Sequence, residues 1–253
     1  MCVLAFAHQA HPRWRLIAIG NRDEYHARPA TPLARWTAPE HLIAGRDLQS
    51  GGSWLGISEQ GRFAVVTNLR GYGAPDPALA SRGALITEYL AGMGDHAEPR
   101  AADLAVFNPV NLIIADRHGA DFLTNRPGTR RTGLASGLYG LSNGEFDEPW
   151  PKTLRLKSVL LEWITGEARD TEPLFAGLRE EILPPIGLDS STPSDVPQEP
   201  NHSPIFMRHP IYGTRCSTVV LIDAQGHGRI MERRFSAEAQ ETGRTSLSFS
   251  WPA

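Results

Sequence analysis

The chain has 253 residues, of which 41% are hydrophobic and 21% charged, the balance of an ordinary globular protein long enough to bury one large core. Its formal net charge is −3 and it has no block of basic residues, so the electrostatic footprint of a nucleic-acid binder is missing. No window holds the roughly 18 consecutive apolar residues a membrane-spanning helix needs, and the opening MCVLAFAHQAHPRWRL lacks the basic and long apolar regions of a secretory signal.

Two cysteines, Cys2 and Cys216, are too few for a disulfide scaffold or a four-thiolate metal centre and suit a reducing compartment, so a cytoplasmic location is expected. The nine histidines fall in neither a His-Glu-x-x-His spacing nor, with the cysteines, a Cys-x-x-Cys one. No metal site and no cofactor are therefore expected.

In chain order, apolar runs at 2–7 and 15–19 flank a polar, proline-containing turn and read as a hairpin. Runs at 53–57, 63–67, 111–115, 138–141, 217–222 and 229–235 have strand lengths and turn-type boundaries. Helical spacing appears at 83–90, 152–164 and 173–183. Strands, then helices, then strands argue for a single α+β domain of layered architecture rather than alternating βαβ units. Residues 184–204 are dense in Pro, Ser and Asp and read as a mobile loop, either a linker or a flap over a site.

Cys2 becomes the first residue once Met1 is removed, and then carries a thiol and a free amine on one residue. An α-amine titrates near pH 8 and can take the thiol proton without a histidine, so the two groups form a nucleophile and its base. Taken alone, Cys2 reads most simply as a buried, inert thiol at the start of a strand. The tetrad Asn21-Arg22-Asp23-Glu24 follows the second strand of the hairpin, and a turn explains it equally well. If the strands pair antiparallel, the end of the second lies beside the start of the first, which brings Asp23 to the Cys2 amine. Gly51-Gly52 lacks the Gly-Lys-Ser/Thr ending of a phosphate loop and reads as a bulge or tight turn.

The opening MC, NRDE at 21–24, GGSWLG at 51–56, TNLRG at 67–71, SRG at 81–83, LSN at 141–143 with WPK at 150–152, and YGTRCSTVVLID at 212–223 together resemble the NRDE family, in the same order from residue 1 to about 235. The same order of motifs is more distantly similar to the choloylglycine hydrolase and penicillin V acylase group. That resemblance implies an αββα sandwich, two antiparallel sheets between helical layers. It also implies an N-terminal-nucleophile amidohydrolase that cleaves a non-peptide C–N bond through a Cys2 acyl-enzyme. Cys2 matches the nucleophile and Asp23 the aspartate that holds the amine. Asn68 matches the position whose backbone N–H enters the oxyanion hole, Asn143 the asparagine whose amide completes it, and Arg215 the arginine near the thiolate. Asn21, Arg22 and Glu24 would support the site or bind substrate. The expected partner is a small amide.

Alternatives stand beside these roles. Asn68 and Asn143 also read as turn formers, and Arg215 as a partner of Glu24 or Asp23. Cys216, one residue on, reads as core. The acylases carry an arginine three residues before their aspartate, where this chain has Gly20, so whether Arg22 or Arg215 serves the thiolate stays open. The NRDE family is also associated with haem and lipid handling, so the competing function is a non-catalytic carrier of such a ligand on the same scaffold.

Overall fold

The computed structural model describes residues 2–183 and 203–252. Among the described residues, thirteen strands lie in two antiparallel sheets. The first has six strands: β1 (Cys2–His8), β2 (Trp14–Tyr25), β10 (Gly137–Leu141), β11 (Tyr212–Asp223), β12 (His227–Phe235) and β13 (Glu241–Ser250), in the order β10-β1-β2-β11-β12-β13. The second has seven in chain order: β3 (Ala30–Arg35), β4 (Leu42–Asp47), β5 (Leu55–Ser58), β6 (Arg62–Asn68), β7 (Val110–Asp116), β8 (Ala120–Thr124) and β9 (Arg130–Gly133).

The central strands read as continuous apolar runs because both of their faces are buried. In β1, Leu4 and Phe6 enter the core between the sheets, while Val3, Ala5 and Ala7 pack against the helices outside. In β6, Phe63 and Val65 face the inter-sheet core, and Ala64 and Val66 the other way. Helices α2 (Pro151–Thr165) and α3 (Glu172–Leu178) cover the first sheet through Leu156, Leu160, Leu174 and Leu178. Helix α1 (Arg82–Ala91) covers the second through Leu85, Ile86, Tyr89 and Leu90. The four layers are those of an αββα sandwich, the α+β architecture expected.

Three differences from the sequence reading have physical causes. Strand β2 continues through the NRDE tetrad, so those four residues pair with β1 and β11 instead of forming a turn. Helix α3 stops at Leu178 rather than running to 183, because the Leu178 carbonyl accepts from Asn21 Nδ2 and the Glu180 carbonyl from the Phe206 N–H. Strands β3, β4, β8, β9 and β13 were not anticipated; β9 (RRTG) is wholly exposed and β13 mostly polar, so neither shows an apolar run. Of the loop read at 184–204, residues 184–202 lie outside the described residues.

Candidate active site

Cys2 opens β1 directly opposite Arg22 of β2, so both side chains project from the same face of the sheet, into a cleft of about 580 Å³ between the two sheets. Asn21 and Asp23, one residue to either side, project to the helix-covered face. Hence the tetrad splits its side chains between two faces of one strand.

Two hydrogen bonds hold Cys2, and another ties its partner Asn143 to the second sheet. Its backbone nitrogen donates to Asn143 Oδ1 at 3.1 Å, Asn143 Nδ2 donates to the Asn68 carbonyl at 2.7 Å, and Ser142 Oγ donates to the Cys2 carbonyl at 2.7 Å. Thr67 Oγ1 closes the weave on the Ser142 carbonyl at 2.7 Å. The LSN segment at the end of β10 thus clamps the start of the first sheet to the end of β6 in the second, which is why the motifs at 2, 67–71 and 141–143 lie together. Asn143 is 1% exposed, so its own amide would be costly to leave without partners.

Asp23 is buried and accepts from Thr214 Oγ1 at 2.6 Å. Burial pushes its carboxyl pKa up, against the Thr214 hydrogen bond and the cations Lys152 and Arg22. Lys152, in the first turn of α2, is the residue the sequence reading missed. It is 2% exposed, and its Nζ donates to Ser203 Oγ at 2.8 Å. Burial lowers its pKa to about 8, with Asp23 and Cys2 favouring the charged form and Arg70 opposing it. A lysine in the first turn of an amphipathic helix ordinarily reads as a solvated residue; only its place in WPK set it apart.

The cleft wall beside Arg22 is a charge network centred on Asp47, a second residue not singled out. Its carboxylate accepts from Arg28 Nε at 2.6 Å, Arg22 Nη2 at 3.1 Å and the backbone N–H groups of Gln49 and Ser50 at 3.0 Å each. Burial favours its neutral form, but these hydrogen bonds and the two guanidinium charges outweigh burial and hold the pKa below the usual carboxylate range. Glu24 lies 3.8 Å from both Arg22 and Arg28. The Arg22 guanidinium also stacks 4.4 Å from the Trp54 ring centroid. The first two glycines of GGSWLG shape this wall, Gly51 by its turn and Gly52 by a close approach. Gly51 has φ 78° in the turn after Asp47, and a Cβ on Gly52 would lie 2.4 Å from the Gly83 carbonyl carbon.

Two of the candidate residues turn their side chains to other partners. Arg215 occupies a β-bulge: Thr214 pairs with Asp23 and Cys216 with Arg22, leaving Arg215 as the extra residue. Its Nη1 donates to the carbonyls of Tyr25 at 2.8 Å and Arg28 at 3.0 Å, so it braces the backbone after the tetrad instead of facing the thiol or pairing with Asp23 or Glu24. Asn21 also stays out of the cleft, fastening Leu178 and Ile205 through Nδ2 at 2.8 Å each and accepting from Ser217 Oγ at 2.6 Å. Cys216 is buried, and burial pushes its thiol pKa well up. Gly20 explains the missing arginine: a Cβ there would lie 2.8 Å from the Val3 carbonyl oxygen and 3.1 Å from Leu4 Cδ1. No group of three or more potential ligands able to hold a metal occurs among the described residues, and no helix among them is long and apolar enough to cross a membrane.

This sandwich is the fold of the N-terminal-nucleophile hydrolases. The chain aligns with a penicillin V acylase from Agrobacterium tumefaciens at a TM-score of 0.52 and 13% identity, covering 98% of this chain and 86% of that one. A conjugated bile acid hydrolase from Clostridium perfringens aligns at 0.53 and 8% identity, covering 98% and 92%. At such identities the likeness concerns the fold alone. The chain itself belongs to the Transport and Golgi organisation 2 family, which residues 1–237 match. The bovine and human Transport and Golgi organization protein 2 homologs are 32% and 31% identical over 258 residues, 92% of each chain. The Drosophila melanogaster protein is 25% identical over 261 residues, 92% of this chain and 91% of its own.

Proposed function

We propose that the chain is an amidohydrolase that cleaves a non-peptide C–N bond of a small amide through a Cys2 acyl-enzyme. The observation that carries this reading is the clamp of Asn143 between the Cys2 nitrogen and the Asn68 carbonyl, which places two structural asparagines at the residue that becomes the N-terminus when Met1 is removed. In the reaction the Cys2 amine takes the thiol proton, and the sulfur adds to the amide carbon. The oxyanion formed receives the second hydrogen of Asn143 Nδ2 and the Asn68 backbone N–H. The ammonium then gives its proton to the departing amine as the C–N bond breaks. A water, deprotonated by the same amine, hydrolyses the thioester and restores the thiol.

Asp23 and Lys152 set the field around the amine from the helix-covered face, and Arg22 provides the cation on the thiol's own face. The carrier reading draws no support from the cleft, since guanidiniums and carboxylates line it and such a wall is a poor host for an apolar ligand.

Intact mass establishes whether Met1 is lost, and labelling with a thiol-directed electrophile or an activated acyl ester shows which cysteine reacts. The expected result is a chain one methionine lighter with the adduct on Cys2. Modification of Cys216 with Cys2 untouched would overturn the assignment.

A further inference from the structure

Three guanidiniums line the cleft, and their charges are not matched alike. Arg22 and Arg28 share Asp47 at 3.1 and 2.6 Å and Glu24 at 3.8 Å each. Arg82, the first residue of α1, forms no ion pair among the described residues; its Nη1 donates to the Pro109 carbonyl at 3.1 Å. A further acid of the lining, Asp76, directs Oδ1 to the Ala78 N–H at 2.8 Å.

A guanidinium does not deprotonate at working pH, so Arg82 is a fixed, part-buried positive charge supplied with only a carbonyl. Burial and the charge of Arg28 disfavour its ionised form, while Glu24 and Cys2 favour it from a distance. Leaving a charge in that condition is costly, and a fold retains it where something arrives to complete it. Its position is also rigid. The backbone at Gly83 packs so tightly on Gly52 that a Cβ on either glycine would meet the other's backbone at 3.0 Å or less, and the Ser53 N–H reaches the Gly83 carbonyl at 3.4 Å.

We propose that Arg82 is the specificity residue of the cleft and receives an oxyanion group, a carboxylate or a phosphate, carried by the amide substrate. With Nη1 on Pro109, the Nε–Nη2 edge remains for the planar, two-point recognition that arginine gives such groups. The substrate class is therefore an anionic amide, its charge seated at Arg82 and its carbonyl at Cys2. The inference rests on the hydrolase reading for the amide and on Arg82 for the charge.

The test titrates Cys2→Ala protein by calorimetry with three probes: N-hexanoylglycine, N-hexanoyl-phosphoethanolamine and the neutral N-hexanoylglycinamide. One or both anionic amides should bind at least about ten-fold tighter than the neutral one, and the tighter of the two identifies the oxyanion. Adding Arg82→Gln should erase that preference and leave the neutral affinity within about two-fold, a change about equal to a lost charge-assisted pair. Arg82→Lys keeps the charge and the Pro109 contact; it should weaken the anionic probe several-fold and serves if Arg82→Gln fails to fold. Equal binding of neutral and anionic amides, a preference that survives either substitution, or no binding of any probe overturns the proposal. None of these readouts needs turnover. If Arg82-dependent binding is found but the wild-type chain never acylates Cys2, the hydrolase reading falls and this one stands.

Discussion

The side-chain oxygen of Asn143 accepts a hydrogen bond from the Cys2 nitrogen at 3.1 Å across 141 residues of sequence, while the same amide's nitrogen donates to Asn68 at 2.7 Å. Both ends of one amide are therefore in use, and Asn143→Ala removes them together. Acylation of Cys2 should fall by about 10² to 10³, the usual effect of losing one oxyanion donor. Stability should fall by about 1 to 3 kcal/mol because buried polar groups lose their partners. Stopped-flow acylation with an activated ester and a denaturant melt measure the two effects. A loss of stability with acylation unchanged would make Asn143 a clamp only.

Gly20 stands where the acylases place an arginine, and its Cα faces the Val3 carbonyl oxygen and Leu4. Gly20→Ala should cost roughly 1 to 3 kcal/mol through overpacking of the β1–β2 pair. Gly20→Arg should destabilise further and confer no gain in activity, since Arg22, directly opposite Cys2, already occupies that face. Chemical denaturation of both variants decides it, and a Gly20→Arg chain as stable as wild type would refute the steric account.

The hairpin, the sandwich and the ring of motifs around Cys2 were legible in the sequence because they depend on apolar runs and on motif order. Arg215 misled because a single bulge residue re-aims its side chain, and a bulge leaves no periodic trace at Thr214, Arg215 or Cys216. Asp47 and Lys152 were invisible for a different reason. Each looks like a surface residue of its own segment, and each acquires its role from elements far away in the chain: Arg22 and Arg28 for Asp47, Asp23 and Ser203 for Lys152.

Asp47 gathers four donors on one carboxylate that is only 12% exposed. Asp47→Asn should cost about 3 kcal/mol, near the low end for breaking a buried pair. It should also release Arg22 and Arg28 toward the cleft. Because the folded pKa of Asp47 lies below its ordinary value, its contribution is full above the unfolded carboxylate pKa and is lost as pH falls through the folded one. The difference in stability between wild type and Asp47→Asn should therefore shrink below about pH 4. A difference that stays constant down to acid unfolding would show that charge is not what holds this wall together.

Lys152 gives the same sign of slope in a higher pH window, there as relief of the cost of burying its charge. Its folded pKa is about 8 against an ordinary 10.5, so between those values the unfolded chain holds the extra proton and stability rises with pH. Lys152→Met should flatten that rise, which melts taken from pH 7.5 to 10.5 would register as a loss of slope. The same substitution removes a cation that opposes the upward push of burial on Asp23. The acid limb of the kcat/KM profile should therefore move to higher pH in Lys152→Met, and Lys152→Arg should hold it near the wild-type position. A merely structural lysine would lower stability without moving that limb, so the profile separates an ordering role for Lys152 at the Cys2–Asp23 site from simple packing under α2.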